Sequence, residues 1–376
     1  VLNFNSSIKT KSFISTRISS GYCENSAIPS KERFFKGSEE GMALLLVVFV
    51  VALCSIIVVN LSQSSFRESR VNNAALKRVQ AEYLLKSAVN FARVLLSKDA
   101  SLDADSPKDI WATFLKGQAV PVPEVLGINE PGLNIEMEIQ AEDQKFPIRG
   151  LLSGGTVNKK LRDALVRLFK SPTLDFDNDT EEVDHTKLFP GRHLKSDELV
   201  SLLIDYMDSD SDSYADPDGD FIEGLEGELP ENTFANTGVK RIGELATIPG
   251  FTPARLRKLD PLITVFASNQ INVNLAPPVI LRAILDIDDD VVAQILQKRE
   301  SDEPITNINL DLFDDQILSS SDYSLYGSLL RTSSQWFQIL AKVDYGTSTY
   351  FMRAYVSRGQ ADDDSKLPVI RSVELF

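Results

Sequence analysis

The sequence predicts an α+β fold in which a long N-terminal helix packs on an antiparallel sheet, with a large α-helical domain inserted into the body. Three observations carry that expectation. Neither glycine nor proline occurs from residue 42 to residue 106, so nothing there interrupts a helix. Runs that alternate apolar with polar residues, the period of a half-buried strand, occupy 133–140, 336–343 and 349–356. Between the first and second of these runs the apolar period becomes helical, at 158–169 and 197–207.

Residues 42–61 (MALLLVVFVVALCSIIVVNL) contain only Ser55 and Asn60 as polar residues, and no charge occurs from Gly41 to Phe66. At about 1.5 Å per residue the run reaches about 30 Å, the thickness of a bilayer's hydrocarbon core, so a transmembrane helix is expected. A secretory signal peptide fits less well, because its apolar core is only about 7–15 residues and ends in small residues, not Val-Val-Asn-Leu. Lys31, Arg33 and Lys36 on one flank face Arg67, Arg70, Lys77 and Arg78 on the other, so the charge count does not orient the span. Beyond it, apolar residues recur at helical spacing (Val71, Ala75, Leu84, Leu85, Ala88, Phe91, Ala92, Leu95, Leu96). One helix from Met42 to about Ser97, about 84 Å long, would thus be both anchor and core element.

After Pro107 a loop rich in proline and glycine leads to the strand Leu133–Gln140. Two segments, 241–266 and 271–301, then repeat a plan of helix, tight turn, helix, and in the first Thr252 is placed to cap a helix that opens with Pro253. At the carboxy end the two alternating runs form a hairpin turning at Asp344-Tyr345-Gly346, and 369–375 adds a third strand.

Composition narrows the chemistry. Lys plus Arg 39 against Asp plus Glu 54 gives a net charge of −15, which disfavours nucleic acid as a partner. The two hairpins look like helix-hairpin-helix units, whose glycines let turn amides approach a phosphate. Here the first turn keeps only Gly250, and the second carries Asp286, Asp288, Asp289 and Asp290, which would repel a phosphate. Both are therefore expected to be structural. Two cysteines, Cys23 and Cys54, offer no disulfide framework. His185 and His193 stand in no zinc, redox or hydrolase motif, and neither catalysis nor a small-molecule substrate is expected.

Seven aspartates fall within residues 205–220, alternating as Asp208-x-Asp210-x-Asp212 and Asp216-x-Asp218-Gly219-Asp220. Alternate carboxylates on an irregular backbone suit Ca²⁺, which takes about 6–8 oxygens. A standard EF-hand fails, since the twelfth position counted from Asp208 is Gly219 and from Asp216 is Gly227. The expected ligands are Asp208, Asp210, Asp212, Asp216, Asp218, Asp220 and Glu223, and the alternative is a plain solvated acidic loop.

The glycine that precedes the apolar helix, Gly41-Met42-Ala43-Leu44-Leu45-Leu46, resembles the processing site of type IV pilins and type II secretion pseudopilins. Leu46 replaces the glutamate usual at the fifth mature position, a feature of the GspK (general secretion pathway protein K) family of minor pseudopilins. The runs Leu203-Ile204-Asp205-Tyr206-Met207-Asp208-Ser209-Asp210 and Asn272-Val273-Asn274-Leu275-Ala276-Pro277 resemble others of that family. The resemblance implies a pilin-like fold with a helix-hairpin or SAM-like insert. It divides the chain into a leader (1–41), the transmembrane half of the first helix (42–61), a first part of the body (62–155), an inserted domain (156–330) with the acidic loop 205–228, and a terminal sheet (331–376). It also implies cleavage after Gly41 by prepilin peptidase, methylation of the new amino terminus at Met42, an inner-membrane anchor with a periplasmic body, calcium, and minor pseudopilins I and J as partners. Leu46 would then mark the tip of the pseudopilus. A type IV pilus minor pilin, or a membrane-anchored helix-hairpin-helix DNA-uptake protein, has a similar plan.

Overall fold

The stretch without helix breakers forms one helix, α1 (Gly37–Ser97), in the computed structural model of the chain. The structure describes residues 37–99, 103–121, 127, 132–179, 186–230, 232–267, 269–300, 304–314, 317–345, 348–358 and 367–376. Leader residues 1–36, Cys23 and His185 lie outside the described residues, as does the hairpin-turn residue Gly346. The helix begins before Met42 and runs through the Gly41–Met42 bond.

The chain divides between Val71 and Asn72 into two units. In the first, α1 is exposed along its apolar length from Gly41, and the stretch is long and apolar enough to cross a membrane.

In the second unit the burial of α1 begins at Ala81 and continues through Leu84, Leu85, Ala88, Val89, Ala92 and Leu96. These recur every three or four residues, one stripe of the helix. Ala75, expected in the stripe, stays exposed. The strands in chain order are β1 (Gln118–Ala119), β2 (Leu133–Ala141), β3 (Phe146–Pro147), β4 (Leu152–Ser153), β5 (Thr156–Val157), β6 (Ile263–Thr264), β7 (Ile271–Asn272), β8 (Leu330–Arg331), β9 (Trp336–Tyr345), β10 (Ser348–Ser357) and β11 (Val369–Leu375). Five of them make an antiparallel sheet in the order β1-β2-β9-β10-β11, so β2 pairs with β9 across the whole intervening helical region. Register aligns the apolar alternation: Ile139 faces Ile339 and then Ala354, and Met137 faces Ala341 and then Met352. All six are buried in one core with the α1 stripe, and Trp111 packs edge-on against Phe337. Strand β1, which pairs Gln118 with Met137, falls where only a loop was expected.

A second core runs from Phe146 to Leu330. Among the described residues its α-helices are α2 (Lys159–Lys170), α3 (Ser196–Met207), α4 (Pro253–Leu259), α5 (Pro278–Leu285), α6 (Asp289–Glu300) and α7 (Ser320–Tyr326). The Asn158 side chain caps α2 by accepting from the Leu161 amide. The expected helix-turn-helix plan holds for α5 and α6, but in the first hairpin the leading arm is only the 3₁₀ turn Ile242–Thr247. Thr252 does cap α4, its Oγ1 accepting from Arg255 N at 3.2 Å.

Polar side chains stitch the unit together. Asp143 accepts from the amides of Gln335 and Trp336, both at 2.8 Å. Asn274 exchanges two hydrogen bonds with the backbone of Ile305, and Asn272 donates to Ser334 Oγ at 2.8 Å. The Asn-Val-Asn run is therefore a buried clamp between segments far apart in sequence.

A candidate cation site in the acidic loop

Helix α3 ends at Met207, and its last turn presents Asp205, which is fully buried. The Asp205 carboxylate accepts hydrogen bonds from the amides of Tyr214 (2.7 Å), Leu225 (2.7 Å) and Glu226 (3.0 Å). Three backbone donors on one carboxylate fold residues 208–226 back on the helix end. Gly224 is required there, because a Cβ at that position would collide with the Asp205 carboxylate.

Around this staple three acceptor oxygens are buried without a donor: Asp208 Oδ1, Glu226 Oε2 and Asn236 Oδ1. Asn236 is oriented by its own amide nitrogen, which donates to the carbonyl of Asp210. Burial pushes the Asp208 carboxyl up to about 7, with Asp210, Asp205, Glu226 and Asp212 adding repulsion. Burial also raises Glu226, with Asn236 opposing and Asp205, Asp210 and Asp212 adding to the rise. Buried oxygens that lack donors and resist ionisation are the donor set a hard cation satisfies. The residues fit calcium in type, as carboxylates and an amide carbonyl.

The seven sequence-expected ligands have different surroundings. Asp208 supplies one of the three buried acceptors, while Asp210 and Asp212 are exposed and act on it through their charge. Asp216 instead lies between Lys159 Nζ (2.8 Å) and Arg162 Nη1 (3.1 Å), cations contributed by α2. The hydrogen bond from Lys159 holds Asp216 below the usual carboxylate range, against burial and with help from Arg162. Lys159 also pairs with Asp218. Asp220 and Glu223 are exposed. The other two buried acceptors are Glu226 and Asn236. Glu226 stands among the carboxylates of the acidic run, but nothing in the sequence marks Asn236.

Among the described residues, the one trio of acidic side chains with oxygens within 4.8 Å of one another is Asp99, Asp105 and Asp109, at the end of α1. Arg358 already pairs with two of its members, with Nη1 2.6 Å from Asp105 and Nη2 2.7 Å from Asp99. Asp109 accepts from the Ser106 amide at 2.8 Å, and Asp99 accepts from the Trp111 indole at 3.2 Å. This trio is a structural junction.

The processing residues expected at the amino end, Gly41 and Met42, and the tip marker Leu46, all lie exposed on α1. The first hairpin turn faces inward, whereas the aspartates of the second are exposed. Gly250 has φ +81°, and a Cβ there would stand 2.5 Å from Leu199 Cδ2 on α3. In the second turn Asp286 pairs with Arg167 at 3.5 Å, and Asp289 pairs with Arg282.

The fold is shared with a chain in the crystal structure of the GspK-GspI-GspJ complex from the enterotoxigenic Escherichia coli Type 2 Secretion System. The TM-score is 0.58 at 15% identity, and the match covers 81% of this chain and 99% of that one. No family model matches the sequence, and no curated protein matches it.

Proposed function

We propose that the chain is a membrane-anchored minor pseudopilin of a type II secretion system, of the GspK kind, that assembles with minor pseudopilins I and J at the tip of the pseudopilus. One observation carries this reading: the second half of a single long helix packs on a five-stranded antiparallel sheet, with a helical domain placed between β2 and β9. That fold is shared with a chain of the GspK-GspI-GspJ complex of a Type 2 Secretion System. The role is structural, without catalysis or a small-molecule substrate. The chain sits in the inner membrane with its body in the periplasm, and prepilin peptidase cuts after Gly41, with methylation at Met42.

Leu46 supports a tip position on physical grounds. A newly exposed amine at Met42 is a cation in lipid, and a neighbour's carboxylate would relieve it. A subunit with leucine at position 46 offers no such carboxylate upward, yet its own amine can still receive one from below. The helical domain argues the same way, because its bulk suits the end of a filament better than a packed shaft.

In this reading calcium binds at Asp208, Asp210, Asp212, Glu226 and Asn236, while Asp216 and Asp218 anchor the loop to α2. The buried first turn and the four exposed aspartates of the second favour a structural role over DNA uptake.

The test is co-purification of the detergent-solubilised chain with the I and J subunits of its own secretion system, plus mass spectrometry of its mature amino terminus. A stable ternary complex and a mature chain starting at Met42 are expected. An uncut amino terminus, or a chain crosslinked all along assembled filaments, would overturn the tip role.

A further inference from the structure

Residues on β10 alternate between the α1 core and the opposite face of the sheet. Met352, Ala354 and Val356 point to the core, so Arg353 and Tyr355 lie on the other face, opposite Glu374 and Ser372 of β11. Between that face and the first hairpin runs an open groove of about 690 Å³. Its floor is aromatic, with Phe266 stacked on Tyr355 at a centroid distance of 3.9 Å and an angle of 24°. Its walls carry Lys240, Arg241, Arg257 and Arg353 against two carboxylates, Asp260 and Glu374. The groove is thus cationic by two charges in a chain whose net charge is −15.

These cations are not spent on ion pairs within the fold. Among the described residues none of the four has a carboxylate within ion-pair distance, in contrast to Lys159, Arg162, Arg255 and Arg358 elsewhere in the unit. The Nε of Arg353 is buried with no acceptor, held beside the Phe376 ring.

We propose that this groove docks an acidic peptide segment of a partner protein, with an apolar or aromatic side chain on Phe266 and Tyr355 and carboxylates on the arginines of the wall. Guanidinium forks match carboxylates in geometry, and an aromatic floor supplies contact area without needing a charge. The volume suits a few side chains and not a duplex. The inference rests on the groove alone and does not need the secretion reading.

The experiment uses the full chain in nonionic detergent and fluorescence anisotropy. One probe is a peptide of alternating aspartate and phenylalanine carrying a neutral fluorophore, and the control replaces aspartate with asparagine. The acidic probe should bind and the asparagine peptide should bind about tenfold more weakly or worse, with affinity falling as salt is raised. The double variant Arg241→Gln, Arg257→Gln should lose about tenfold in affinity at an unchanged melting temperature, because both side chains are exposed. Equal binding of the two peptides, no binding of the acidic one, undiminished binding by the double variant, or displacement by a DNA oligonucleotide would each overturn the proposal.

Discussion

At Asp208 a single carboxyl carries the contradiction that a cation would resolve. Its folded-state value near 7 lies above the ordinary 3.8, so the folded chain holds a proton there that the unfolded chain has released. That contribution to stability is present at low pH and is lost as pH rises through about 7. In chelator, the melting temperature of the detergent-solubilised chain should therefore fall between pH 5 and pH 8. Calcium should raise it at pH 8 and do little at pH 5, where the proton competes. Asp208→Asn should raise the metal-free melting temperature at pH 8 and abolish the calcium response. A variant that still responds fully would place the ligands elsewhere. Asp205 behaves differently: asparagine offers one acceptor where three amides donate, so Asp205→Asn should cost about 2 kcal/mol or more in denaturant unfolding. The acidic run was legible in the sequence, whereas the division of its members was not. Nothing in the spacing of Asp216 and Asp218 shows that Lys159 and Arg162, more than fifty residues earlier, have already neutralised them.

Among the elements, α1 shows how one helix serves two solvents. From Met42 to Leu61 its apolar residues surround the whole circumference, as a lipid environment requires, and from Ala81 they narrow to one stripe. Leu85, fully buried against the sheet, should cost about 2–5 kcal/mol when replaced by alanine. Tyr83, two residues away and 67% exposed, should cost less than about 0.5 kcal/mol. Thermal or denaturant unfolding of both variants checks the contrast, and equal effects would mean that the stripe is misplaced. Strand periods were read well because register and burial both follow alternation, as Ile139, Ile339 and Ala354 illustrate. Strand β1 escaped notice because two residues are too few to show a period, and its pairing is supplied by β2.

For the whole molecule, the order of elements determines what the filament reading demands. The helical domain enters after β2 and leaves before β9, and these two strands pair along their length, so its bulk interrupts the sequence but not the sheet. On the proposed tip role, Leu46→Glu should leave membrane insertion intact, since one carboxylate in a span this apolar is tolerated. Gold labelling of filaments should then find the variant less often at the ends than the native chain. An unchanged distribution would show that position 46 does not set the order of assembly.

The sequence by itself determined the elements whose evidence is local: the apolar span, the helical stripe, the alternating strands, the Thr252 cap and the acidic run. Each depends on residues a few positions apart, where backbone period and side-chain chemistry act together. Only the tertiary structure decided which acidic groups are free to meet a cation. It also showed that the Asn-Val-Asn run is a clamp on Ile305 and Ser334, and that four basic side chains share one groove over Phe266 and Tyr355. The physical reason is that a charge is satisfied or left free by what stands within a few ångströms of it. In this chain the nearest partner often lies fifty or more residues away.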